Sequence, residues 1–185
     1  MNFRWLLISL SGALVIAGAG LSILKHRANP LFHPAPWLHL APLTRELASV
    51  GVGLAMAMLV ILLTRVTVRH TSWARRLHQD LRPIAQQMSP GLILLVAVLS
   101  SGGEELMFRS FLTPWVGVVP QAILFGLLHQ VAGPSRWVWV IWATTAGLAF
   151  GVMYQTFGTL SGPIVAHCVI NGVNLMFLRS HDPDL

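Results

Sequence analysis

Six apolar runs constrain this chain before any other feature does. They cover residues 5–24, 47–63, 90–112, 118–130, 136–157 and 160–178. A helix crosses the ~30 Å hydrocarbon core of a bilayer with about 20 residues. In that medium every backbone N–H and C=O must find its partner inside the protein, so helices are the economical solution. The chain has 185 residues, of which 55% are hydrophobic and only 10% charged; a soluble domain carries about 25% charged residues. The fold class implied is all-α: a polytopic membrane helix bundle with about six apolar segments. The run at 118–130 is too short to cross at ~1.5 Å per residue, which predicts a buried or tilted element.

The connections carry the charge. The first run is closed by Lys25, His26 and Arg27. It is longer than the 7–15-residue core of a signal peptide, so a retained helix is expected; a cleaved signal, with small residues at 17–20, is the alternative. Residues 28–43 hold four prolines and read as a loop on the membrane surface, with His33 and His39 as solvated residues. Residues 64–89 hold five arginines against one acid, Asp80. Trp73, Leu77, Leu81 and Ile84 recur there at helical spacing. This predicts a basic amphipathic helix on the lipid headgroups, ended or kinked at Pro83. Trp137, Trp139 and Trp142 open the fifth run as an interfacial belt would.

Basic residues gather on the cytoplasmic side of membrane proteins. Placing the arginine-rich segment there puts eight of the twelve Lys and Arg residues inside and three (Lys25, Arg27, Arg45) outside, with Arg109 buried. Both termini then face the cytoplasm of a bacterial inner membrane. The chain divides into residues 1–89, two spans plus the basic helix, and residues 90–185, a four-helix core, within one integral membrane domain. The net charge of +6 is a topology and headgroup signal, and no nucleic-acid partner is implied. The lone cysteine, Cys168, excludes an internal disulfide and a cysteine-based zinc cluster.

Ionisable residues inside membrane helices are costly and mark working sites. Five stand in the apolar runs: Glu104, Glu105, Arg109, His129 and His167. Glu105 and Arg109 are one turn apart with the acid first, the favoured order for a helical ion pair. Glu104 points about 100° away and need not share that arginine, so it is free to act as a general base toward water. Gly102 and Gly103 beside it invite close backbone approach. His129 alone is a hydrogen-bonded interior histidine, and so is His167 one turn before Asn171. Together, these groups supply a base, a second group to orient water and donors for an oxyanion, the parts needed for amide hydrolysis. Phe125, one turn before His129, is placed to pack over it. Counted from the helix starts, Glu104, His129 and His167 fall in the middle or outer half of the bilayer, so one shared cavity is expected, opening away from the arginine-rich segment.

Glu-Glu-x-x-x-Arg at 104–109, Phe-x-x-x-His at 125–129 and His-x-x-x-Asn at 167–171 occur in order. Together they resemble the motifs of the CPBP intramembrane proteases, the family of the CAAX prenyl endopeptidase and of bacteriocin-processing and immunity proteins (Abi). The resemblance covers about residues 90–178. It implies a glutamate-type mechanism. Glu104 and His129 would activate the water, His167 and Asn171 would hold the oxyanion, and Glu105 with Arg109 would brace the site. No cofactor is implied; zinc on Glu104, His129 and His167 is the alternative, although no His-Glu-x-x-His spacing demands it. The partners implied are the bilayer and a membrane protein or peptide substrate. A non-catalytic immunity or partner protein and a small proton-relay transporter are the other readings. The absence of an inverted repeat counts against the transporter.

Overall fold

The computed structural model describes residues 3–27, 29–131 and 133–183. It contains seven helices: α1 (Phe3–His26), α2 (Pro42–His70), α3 (Ser72–Gln86), α4 (Pro90–Val116), α5 (Val118–Leu128), α6 (Arg136–Phe157) and α7 (Ser161–Ser180). Five of them, α1, α2, α4, α6 and α7, are long and apolar enough to cross a membrane, and α5 is not. The protein is an all-α membrane bundle. The fourth run, 118–130, forms the short element expected of it, a helix of 11 residues.

Small residues set the helix crossings. Lipid tails are as apolar as leucine, so helices associate in a bilayer by close packing rather than by hydrophobic burial. A Cβ on Gly126 of α5 would overlap Thr144 of α6, and one on Gly151 of α6 would overlap Gln121 of α5. The α2–α7 crossing is tighter still. Gly53 lies against the Gly162 backbone, Gly162 lies against Ser49, and Gly162 N–H donates to Ser49 Oγ at 3.1 Å. Gly18 of α1 meets the backbone at Leu106 and Met107, and Gly103 meets Ser11 and Leu14. Of the two adjacent glycines, only Gly103 is used for approach; Gly102 has open space around it.

The ends of the bundle sort as the charge pattern predicts. At one end lie α3, residues 133–135 and residues 181–183. Arg82 pairs with Asp182 at 2.9 Å, His78 Nε2 donates to His181 O at 3.0 Å, and Gly133 sits beside Asp80. At the other end His26 bonds Phe111 O at 2.9 Å, Lys25 lies over Trp115, and the proline-rich loop docks on the α6–α7 corner.

Four expectations change. Residues 64–70 continue α2 rather than starting the amphipathic helix. Pro83 does not end α3, which runs on to Gln86. Of the three tryptophans only Trp137 faces outward, while Trp139 and Trp142 line an internal cavity. His33 is not solvated. The loop backbone bonds to Gln155, Thr156 and Gly158, which draws the His33 ring edge-on against Tyr154 and leaves it buried. His39 stays exposed, as expected.

Two outcomes follow from this packing. Gly53→Ala drives a Cβ into the Gly162 carbonyl and is expected to cost about 1–3 kcal/mol, whereas Gly51→Ala, with nothing nearby, is neutral; thermal melting in detergent compares the two. Burial lowers the His33 pKa from 6.5, so the folded state takes up that proton less readily than the unfolded chain. Stability is therefore full above about pH 6.5 and falls as the pH drops below it. The loss in melting temperature between pH 7.5 and 5.5 is expected to be smaller for His33→Phe.

Candidate active site

The site is built at a change of helix type. α4 is an α-helix as far as Glu104; from Glu105 to Leu112 its hydrogen bonds run five residues back, as in a π-helix. Such segments are rare and concentrate at functional sites. Thr113 Oγ1 donates to Phe108 O at 3.0 Å and closes the widened stretch. The two glutamates at this junction have different surroundings.

Glu105 is fully buried. Its Oε1 lies 3.1 Å from Arg109 Nη1 and 2.8 Å from His167 Nδ1. Arg109 is equally buried; its Nη2 donates to Gly147 O at 3.3 Å, and its guanidinium lies over the rings of Phe125 (4.3 Å) and Phe150 (5.1 Å). A planar, weakly hydrated guanidinium suits such an aromatic enclosure. This is the ion pair that the one-turn spacing predicts. The third partner, His167, is an addition that the one-turn rule does not reach.

Glu104 is more accessible, with 17% of its side chain exposed and 25% of His129's. Its Oε2 lies 3.5 Å from His129 Nε2 and 3.7 Å from His167 Nε2. Both separations exceed a good direct hydrogen bond, and Glu104 Oε2 is buried with no hydrogen-bond partner. His129 is held by its backbone. α5 stops at Leu128, one residue short of the histidine, which takes φ −86° and ψ 75°. Its Nδ1 lies 2.7 Å from Phe125 O. A carbonyl only accepts, so Nδ1 carries the proton and a neutral ring turns its Nε2 lone pair to Glu104. The Phe125 ring packs 4.3 Å from the imidazole, as expected. His167 bridges the glutamates, one ring nitrogen toward each, and stacks on Phe150 at 5.1 Å. Among the described residues, no group of three His, Cys, Asp or Glu side chains is arranged to hold a metal ion.

His129 and Asn171 open onto a cavity of about 260 Å³. Its other walls are the last turns of α2, the apolar side of α3 and the last three turns of α7, with Trp139 and Trp142 from α6. This corrects the expected opening: the cavity lies on the arginine-rich side. The depth count was made from helix starts and took α3 to lie flat on the headgroups. In the fold, Trp73, Leu77, Leu81 and Ile84 face this cavity, and α5 stops short of the same end. Phe150 and Gln121 are the site residues that sequence reasoning missed. Both are fully buried, and Gln121 Nε2 donates to the same Gly147 carbonyl as Arg109, at 3.0 Å. The available signals were a glutamine in an otherwise apolar helix and a phenylalanine flanked by Gly147 and Gly151.

Residues 86–173 match the family described as type II CAAX prenyl endopeptidase Rce1-like. In this stretch the chain is similar to that family. The stretch holds Glu104, Glu105, Arg109, Phe125, His129, His167 and Asn171, so the family resemblance carried by the three motifs stands. The chain is also similar to the uncharacterized protein YpbD of Bacillus subtilis (strain 168), 26% identical over 132 residues, which is 70% of this chain and 68% of the relative. No solved structure matches.

Removing one partner of a buried ion pair leaves the other uncompensated, at a cost of about 3–5 kcal/mol. Arg109→Met is expected to lower the yield of folded protein and its melting temperature accordingly. Glu105→Gln together with Arg109→Met removes the stranded charge and should recover part of the loss, read by melting in detergent.

Proposed function

We propose that the protein is an intramembrane endopeptidase that hydrolyses a peptide bond in a membrane-anchored or lipid-modified protein. The observation that carries this reading is the convergence of Glu104 Oε2, His129 Nε2 and His167 Nε2 from three separate elements, beside a cavity that His129 and Asn171 line. A water bridging these atoms gives a proton to Glu104 as its oxygen attacks the scissile carbonyl carbon. His129 orients that water. The carbonyl oxygen becomes the oxyanion, and the Asn171 amide, on the same cavity wall as His129, donates to it. The proton held by Glu104 then passes to the leaving nitrogen. His167 donates to Glu105 through Nδ1; it joins Asn171 as an oxyanion donor when Nε2 is protonated as well. Glu105 and Arg109 hold His167 and take no direct part.

The chain is an integral membrane protein with its cavity on the arginine-rich side. By the positive-inside rule we assign that side, and both termini, to the cytoplasm of a bacterial inner membrane. The substrate tail would then be offered from the cytoplasmic face, which revises the outward-facing site expected from the depth count.

Glu104→Gln keeps size and removes the base. Against a panel of membrane-anchored reporters with short cytoplasmic tails, it is expected to lower processing at least ~100-fold at unchanged protein level. Processing at the parent rate by Glu104→Gln would favour the non-catalytic partner reading. Loss of parent activity on chelation, restored by zinc, would favour the zinc-dependent version.

A further inference from the structure

The cavity wall beyond Asn171 carries a second amide. Asn174 is three residues further along α7, and both asparagines line the cavity among apolar neighbours such as Leu175 and Leu178. Asn174 Oδ1 accepts from Arg65 Nη1 at 2.9 Å. Arg65 is itself fixed: its Nη2 donates to Val173 O at 3.3 Å and its guanidinium lies 3.6 Å over the Phe177 ring. A guanidinium can only donate, so the contact decides which end of the amide is which. The oxygen faces Arg65, and the two N–H donors of Nδ2 are left on the other side.

The remaining polar groups on the cavity wall spend their protons elsewhere. Thr64 Oγ1 donates to Val60 O, Thr67 Oγ1 to Leu63 O, His78 Nε2 to His181 O and His129 Nδ1 to Phe125 O. Apart from the indole N–H groups of Trp73, Trp139 and Trp142, the side-chain donors available to a guest in this apolar cavity are the amides of Asn171 and Asn174. The two lie ~4.5 Å apart along the helix axis, and an extended peptide advances ~3.3 Å per residue. One to two residues of extended chain therefore span them. A helical peptide has its carbonyls already bonded internally and offers nothing to such donors.

We propose that Asn174, oriented by Arg65, is a substrate-binding residue: its Nδ2 donates to a main-chain carbonyl of the substrate on the side of the scissile bond nearer the arginine-rich end. The substrate is thus held as an unwound, extended segment along the His167–Asn171–Asn174 face of α7. This rests on the reading of the cavity as a peptide site. Arg65 acts through Asn174 as a positioning residue.

Asn174→Asp tests this directly. The substitution keeps an oxygen for Arg65 and replaces the donor with a second acceptor. A purely structural asparagine tolerates it, because the contact with Arg65 becomes an ion pair. The probe is an N-palmitoylated fluorescent peptide of leucine, alanine and serine, and its Kd is measured in detergent on the Glu104→Gln background. Binding there needs no turnover, so failure of the hydrolytic reading remains separate from failure of this one. The expected result is a melting temperature at or above that of the parent, with Kd weakened about tenfold or more. Equal Kd values with and without Asn174→Asp, or no binding to either protein, would overturn the proposal.

Discussion

The contact between Glu105, Arg109 and His167 is the constraint around which the rest of this bundle is arranged. Two full charges in a hydrocarbon-embedded core are tolerable only when each is paired and its remaining hydrogen-bonding capacity is served. That requirement fixes much else. Gly147 must be small and must leave its carbonyl open to Arg109, and Gln121 must reach the same carbonyl. Phe125 and Phe150 must stand on either side of the guanidinium. Through these residues α4 is tied to α5, α6 and α7 around a single cation. The hydrolytic groups sit on the outer edge of this cluster, where His129 and Asn171 line the cavity and Glu104 Oε2 lies 3.5 Å from His129 Nε2.

Much of this was legible in the sequence. The long apolar runs became spans, and the fifth, 136–157, coincides with α6. Three motifs spaced far apart in the chain meet at one point. Glu105 and Arg109 pair as their one-turn separation predicts. These features depend on hydropathy and on local helical geometry, which a single sequence carries. The rest depends on how elements meet. Leu77 and Leu81 advertise an apolar face, but the sequence does not say whether that face meets lipid or a cavity. His33 in a proline-rich loop reads as solvated until the loop's backbone is seen to bond with the α6–α7 corner. The π-helical stretch from Glu105 leaves no mark in propensity; it arises from packing. The direction of the cavity belongs with these, because it depends on α3 packing into the bundle rather than lying on the membrane surface.

Small residues and charged residues divide the labour here. Gly53, Gly103, Gly126 and Gly162 let backbones touch, so the bundle is held by contact between main chains. The polar cluster contributes register instead: only one rotation of α7 places His167 between the two glutamates and Asn171 on the cavity wall. A bundle stabilised by leucine alone would accept several rotations of similar energy. A cluster whose ionic contacts form in a single rotation disfavours the others.

The brevity of α5 bears on supply. An 11-residue helix spans ~16 Å of a ~30 Å core, and the chain directly after it, at His129 and Gln130, lies deeper than a full-length span would leave it. Non-helical backbone at that depth is tolerated where it is buried in protein or borders a wet space. A hydrolase in a bilayer consumes one water per bond cut, drawn from a medium that holds almost none. The shortened helix leaves its reactive histidine close to the polar end of the bundle, so the second reactant has a short path inward and the lipid need not be breached to deliver it.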